Sequence, residues 1–552
     1  MEKIRAKIEN QIEMIKTLFN SYKVSLALAF LHFWVTTVFQ LDKCFFVYDS
    51  DTQYYYFIKL LYFFTLCFLY CFVFYVYKQC RLGNKKVKRW FYIFSLYSFI
   101  MLCFLLILWP GTWSWDDILV LDTIRLYKIY AWQHIFTCIY QTVLLNIIPC
   151  AGGIILIQNL IISAFVAYSI VEIESYFFKK QIIHIQLLDS LVKLLPFLLP
   201  GVLSYQFSGY RYGLYVYCVL ALFVLFICAN HCTFVWKFWK FLLCIILSVI
   251  VAEWRTESMF FVLVSILLLI MQKKQKCSLK LKIFGILFIV LSFFVADSMQ
   301  KKLLGNSDYE ILSTLCPLVQ VVRNADENDE ELIKELECVI NVQQIYDSNG
   351  NGEAMFLGGK TVKPNYSKED YKRYLKAFFI LSLRHPMIAA KERIRMFVLT
   401  SAFMGKTHVT HHLIINSTKN IADFDISESS IIARFGTASH NKPIFNKLRQ
   451  RLIDFWTNNK TYRIIWNPVI PMFFLFAAWI YCLVKQKWYF FILLCGEAAR
   501  VVLVFLTAPA PWFMYYLPEY LLGWSLVCYT ILYSIGLGFW KKNHFRFDAT
   551  DI

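Results

Sequence analysis

The residue types best able to do chemistry in this chain stand together in Trp109-Pro110-Gly111-Thr112-Trp113-Ser114-Trp115-Asp116-Asp117, at the end of the apolar run 91–109. Pro and Gly stop a helix there, and the tryptophans favour the headgroup zone of a bilayer. Two adjacent carboxylates are thereby presented at the lipid surface. A carboxylate in that low-dielectric setting, next to a second one, keeps its proton more readily than in water and could serve as a base toward an incoming hydroxyl. The plain alternative is an interfacial turn in which Asp116 caps a helix from Ile118 onward. The residues alone leave both open.

A second charged group, Glu253-Trp254-Arg255-Thr256-Glu257, interrupts the apolar stretch 241–271. Charges inside such a run cost several kcal/mol each and call for a partner or a water-filled cavity. Either Arg255 pairs with Glu253 and Glu257 structurally, or its planar fork holds a phosphate or pyrophosphate. Arg211, in Gly209-Tyr210-Arg211-Tyr212-Gly213, reads as an anchor reaching toward the interface and as a weaker phosphate ligand. His134 either faces the cavity of Asp116 or rests at the interface. His408, His411 and His412 share one helical face by spacing, but no HExxH or carboxylate ligand accompanies them, and no metal site is assigned. Neither a GxGxxG nor a GxxxxGK[ST] loop occurs, which argues against ATP-driven transport by this chain alone.

Positioning these residues falls to membrane helices. Of 552 residues, 59% are apolar and only 17% charged, with a mean hydropathy of +0.53, outside the balance of a soluble domain. A hydrocarbon core takes roughly 20 apolar residues per helical crossing, and a backbone within it must satisfy its own polar groups. The expectation is an all-α polytopic membrane protein of about 12 transmembrane helices. Lys and Arg number 56 against 37 Asp and Glu, a net +19. The excess gathers in short turns, densest over 78–89, so it orients the chain and does not name nucleic acid as a partner. The cysteines show no CxxC and read as small buried hydrophobes.

Alternation of sides divides the chain into a cytoplasmic amphipathic segment 1–23, a transmembrane module 24–296 with outer loop 110–133, an extracytoplasmic and mostly helical soluble region 297–466, transmembrane helices over 467–540 and a cytoplasmic tail 541–552. Within the module, 134–148 reads as a span. The stretch 241–271 reads as one bent span, since two half-length spans would each rise only about 20 Å; this leaves Lys237 and Lys240 on the outer face. Helices are expected in the outer region over 370–383, 386–403 and 442–456, with Pro386 in a first turn.

The turn Trp109-Pro110-Gly111 leading to Asp116 and Asp117, followed by Gln133-His134, resembles the first outer loop of bacterial multi-span glycosyltransferases of the GT-C class, especially a group of large membrane proteins of unknown function. Leu315-Cys316-Pro317-Leu318-Val319-Gln320-Val321-Val322-Arg323 is similar to that group's segment after the middle span, and His385-Pro386 sits like its proline-started helix. The segment 509–518, with Tyr515-Tyr516, resembles its final outer turn, where the family more often has Arg-Tyr. The resemblance covers residues 90–535. It implies a GT-C-like fold and sugar transfer, with inversion, from a polyprenyl-phosphate or pyrophosphate donor to an extracytoplasmic glycan, glycolipid or protein. It further implies that Asp116 or Asp117 acts on the acceptor and that Arg255 binds donor phosphate; Arg211 is the second phosphate candidate, and His134, Glu253, Glu257 and Tyr516 are candidates to meet substrate. Some relatives use a divalent cation, Mg or Mn; no dedicated site for one is evident in this sequence. The membrane lipid itself is the expected surrounding, in the cell membrane. A flippase, ligase or polymerase of lipid-linked glycans, or a transporter without enzymatic activity, would need similar residues; the absence of an internal repeat weighs against the last.

Overall fold

The structure, a computed structural model, describes residues 22–47, 53–178, 185–304, 309–347, 361–402 and 439–547. Almost all of the segment 1–23, and His408, His411 and His412, lie outside them. Every regular element among the described residues is helical, with two isolated bridges, Thr112 to Ser208 and Ile340 to Val362. Seven helices are long and apolar enough to cross a membrane: Tyr54–Arg81, Lys85–Leu108, Ala151–Phe177, Tyr212–Asn230, Leu279–Leu304, Lys460–Val484 and Trp488–Thr507. An eighth crossing arises if Gln186–Leu198 and Pro200–Gln206, bent by 74°, count as one. Helices of this kind keep every backbone hydrogen bond inside the segment, as lipid requires. The chain is therefore a multi-pass, helical membrane protein whose apolar outer surface meets lipid.

The bundle has two ends, each marked by polar contacts. At one, Arg89 bonds Glu174 at 2.8 Å and Asp189 at 3.1 Å, and Lys193 bonds both carboxylates at 2.7 Å. At the other lie Trp109, Asp116 and the turn before Tyr212. The helix Tyr212–Asn230, apolar on all faces and buried on nearly all of them, runs between the two as the central post.

These contacts correct two expectations. Glu172, at the Arg89 end, is bonded by both Lys86 at 2.8 Å and Lys240 at 2.7 Å, and Trp236 Nε1 donates to Gln272 Oε1 at 3.4 Å. Residues 236 and 272 thus meet at one end, and the stretch 241–271 is a hairpin of Phe238–Trp254 and Phe260–Ile270, not one bent span. Its tip, Arg255 with the 3-10 turn Thr256–Ser258, lies at the Asp116 end. The first arm begins earlier than its apolar residues suggest, and its 17 residues rise about 25 Å. Lys240 consequently sits with the basic turn 78–89 instead of across the membrane from it.

The second correction concerns 134–148. Helix Ile135–Ile147 starts beside Arg211 and is followed by Gly152 packed under the Trp109 ring, so both its ends lie at the Asp116 end and it does not run to the other. Near its C-terminus, Asn146 accepts from Lys59, which also bonds Asp42, each at 2.7 Å.

Beyond Leu279–Leu304, which runs further than its apolar core into residues assigned to the soluble region, a separate core forms around Leu315, Val319, Leu336, Ile345, Tyr374 and Leu381. The expected helices appear there as Lys368–Arg384, Pro386–Thr400 and Asn446–Trp456, with Pro386 in the first turn of its helix.

Candidate active site

The peptide after Lys85–Leu108 is held by the loop 204–209. Thr112 N donates to Phe207 O at 2.8 Å, and its Oγ1 donates to Ser204 O at 3.2 Å. Gly111 has φ +111°, and a Cβ there would lie 2.8 Å from both Ile155 and Phe207 O, so neither the conformation nor the space admits a side chain. A Cβ on Gly209 would lie 2.3 Å from the Trp113 ring. The loop is fixed in turn by buried amides. Gln158 Nε2 donates to Gln206 O and Ser208 O at 3.0 and 3.1 Å, and Gln141 Nε2 donates to Gly209 O at 2.9 Å. The Gln206 side chain accepts from Tyr97 and Tyr217 at 2.9 and 2.6 Å and donates to Asn159 Oδ1 at 2.7 Å.

Helix Trp115–Ile124, capped by Ser114, then starts three residues before the expected Ile118, and the two carboxylates part company. Asp117 is 3% exposed and accepts the Ser114 N–H at 3.3 Å, closing the first turn. The capping carboxylate is therefore Asp117, not Asp116. Asp116 is half-buried and faces the Gln133 side chain and the Arg211 guanidinium. Burial pushes both acids above the ordinary carboxylate range. For Asp117 the neighbouring Asp116 charge adds to this, whereas Arg211 and Gln133 draw Asp116 partly back.

Arg211 is buried, not reaching outward to the interface: its Nη1 donates to Gln133 O at 3.1 Å and Trp254 O at 3.3 Å. It ties the Asp116 loop to the tip of the hairpin, and its charge acts on that acid. Arg255 is buried to the same degree. Its Nη2 and Nε stand 2.7 and 2.8 Å from Glu257 Oε1, which also accepts from Tyr212 at 3.0 Å, and its guanidinium lies 4.4 Å from the Tyr212 ring centre. The ion pair anticipated at this tip is thus made with Glu257. Glu253 turns toward His134, with 3.8 Å between Oε2 and Nε2. His134 precedes its apolar helix and is held below the usual imidazole range by burial, with Arg211 and Arg255 adding to it.

Tyr516 packs edge-on against Phe397, 5.5 Å between centres. Tyr515 is the member of the pair beside Arg255, at 5.8 Å. Sequence reasoning missed a fully buried group behind them: Arg500 donates to Glu497 Oε2 at 3.2 Å and Tyr515 O at 3.0 Å, and pairs with Glu519. The signal was the same as at Arg255, since Glu497 and Arg500 break the apolar run 488–507. Gln300, which bonds the peptide on both sides of His134, carried no such signal. Among the described residues no group of three His, Cys, Asp or Glu is placed to hold a metal ion.

Compared with protein-family models, curated proteins and solved structures, the chain matches none.

Proposed function

We propose that this chain is a GT-C-like glycosyltransferase that moves a sugar from a polyprenyl-phosphate-linked donor to an extracytoplasmic acceptor at the Asp116 end of the bundle. The observation that carries it is a half-buried Asp116 lying in the field of the buried Arg211 at a helix break, within reach of apolar membrane helices. A lipid-linked donor keeps its tail in the bilayer and its sugar phosphate at the interface, which is the depth such a site serves. Asp116 takes the proton of the attacking hydroxyl, and Asp117 fixes the first turn that presents it. Arg211, backed by Arg255, offsets the charge left on the departing phosphate. The sugar carbon inverts because acceptor and leaving phosphate occupy opposite sides.

The same reading assigns about 12 crossings. The hairpin supplies two where one was expected, and Ile135–Ile147 supplies none, so the total and the sides assigned from residue 272 onward are unchanged, while the turns between 149 and 240 exchange sides. The Arg89 end, with its dense basic turn, is then cytoplasmic along with both termini. The test is transfer by the purified protein from a panel of undecaprenyl-phosphate hexoses, with the Asp116→Asn protein alongside. Turnover by the wild type that is lost in the variant supports the assignment, and equal turnover by both overturns it. A flippase would instead move the intact lipid between leaflets without breaking the phosphate–sugar bond.

A further inference from the structure

His134 has a backbone conformation that L-residues rarely adopt, φ 71° and ψ 139°, and strain of this kind persists only where the surroundings impose it. Here they do so from three sides. Arg211 Nη1 and Thr137 Oγ1 both donate to Gln133 O, at 3.1 and 2.6 Å. From helix Leu279–Leu304, Gln300 accepts the Ile135 N–H at 2.9 Å and donates to Ala131 O at 2.7 Å. The peptide 131–135 is clamped on both sides of the histidine.

The ring is oriented as well. Its Nδ1 accepts the Phe136 N–H at 3.2 Å, so in the neutral imidazole the proton is on Nε2. That N–H is a donor of fixed direction on a residue only 6% exposed, and Nε2 has no hydrogen-bond partner among the described residues. Opposite it stands Glu253, 7% exposed, whose Oε1 likewise has none and whose Oε2 is 3.8 Å from Nε2, too far for a direct bond. Leaving a buried donor and a buried acceptor unmet is costly. One hydroxyl group meets both needs: its oxygen accepts from Nε2 and its hydrogen goes to the carboxylate, from a position roughly 2.8 Å from each.

The geometry points to His134 and Glu253 as a specificity pair that recognises one hydroxyl of the donor sugar, beside the Asp116–Arg211 site. This rests on the transferase reading above, and it adds that the protein distinguishes a sugar-bearing carrier from the bare lipid phosphate.

Binding in nanodiscs of phosphatidylglycerol and phosphatidylethanolamine tests it, with undecaprenyl phosphate and undecaprenyl-phosphate-linked glucose, galactose and mannose as probes. The wild type binds at least one sugar-bearing probe roughly ten- to hundredfold more tightly than the bare carrier. His134→Phe and Glu253→Gln bring that ratio close to one while bare-carrier affinity stays within about twofold. His134→Asn, which tolerates the backbone conformation and keeps an N–H donor, restores part of it. A ratio that survives both His134→Phe and Glu253→Gln overturns the pair and leaves the transferase reading standing. Failure of the wild type to bind any probe removes both. Should the variants not fold, the ¹⁵N resonances of histidine-labelled wild type decide: Nε2 protonated, and shifted by the sugar-bearing probe but not by the bare carrier. An Nε2 resonance indifferent to the sugar overturns the pair.

Discussion

The Asp117 carboxylate accepts the Ser114 N–H at 3.3 Å, and this bond separates two acids that adjacent positions in the chain make look equivalent. Asp116→Asn should lower transfer by about 100-fold or more without lowering the melting temperature of the detergent-solubilised protein. Asp117→Asn keeps an acceptor for the Ser114 N–H and should retain most activity. Asp117→Ala loses it and should cost about 1 kcal/mol in stability. A reversed ranking in turnover would make Asp117 the base.

The pH dependence has a definite sign. Asp116 and Asp117 hold their protons to higher pH in the fold than the ordinary value near 4. Their stabilising contribution is complete below that value and fades as pH rises through the folded one. Thermal stability should therefore decline from about pH 4 toward neutrality, and Asp117→Asn should flatten the decline. The acidic limb of transfer activity, set by Asp116, should have its midpoint above 4. An unchanged stability profile in Asp117→Asn would contradict the assignment.

Breaking the buried Arg255 and Glu257 pair should show which part of Arg255 is structural. Arg255→Ala leaves an uncompensated carboxylate and should cost about 3–5 kcal/mol. The double variant Arg255→Met/Glu257→Gln should recover most of that stability. If Arg255 assists Arg211 with phosphate, the double variant still binds undecaprenyl phosphate more weakly than wild type. Restored stability together with unchanged binding would leave Arg255 a purely structural role.

Gly209 is the point at which the loop meets Trp113 with no room for a methyl group. Gly209→Ala should displace the ring and the turn that follows it, reducing turnover by about tenfold for a shift approaching 1 Å. The number of undecaprenyl phosphate molecules bound per protein should be unaltered. Full activity in this variant would show that the Trp113 turn does not hold Asp116.

The hairpin makes a topological prediction. In a cysteine-free background, cysteines introduced at Lys237 and Lys274 should react with an impermeant maleimide from the same side of the membrane, and one at Trp132 from the other. Opposite reactivity of the first two would restore a single bent span over 241–271.

Much of this architecture was legible in the chain because the dominant pattern was physical and local. Long apolar runs announce helices in lipid, and Pro386 and the run 212–231 behaved as their residues suggested. The site peptide was visible because proline, glycine, three tryptophans and two acids coincide within it. What stayed hidden depends on contacts between distant segments. Lys240 gains its place from Glu172, and Arg211 gains its burial from carbonyls of Gln133 and Trp254. Nothing near those residues in sequence distinguishes an inward guanidinium from an outward one. The roles of Asp116 and Asp117 separated only when a single backbone N–H was located.

The tip of the hairpin also constrains how the protein is made. Glu253 ends the first apolar arm and Arg255 and Glu257 follow it in the turn, so with the Arg89 end cytoplasmic, as proposed above, these charges have to travel through the hydrocarbon layer as the arms insert. Passage is least costly when Arg255 and Glu257 are already neutralising each other and both arms enter together. Their resting place also requires Tyr212, whose helix precedes them and supplies the ring and hydroxyl that receive the pair. In that orientation, synthesis from the N-terminus makes the Tyr212–Asn230 post available before the charged tip that packs on it.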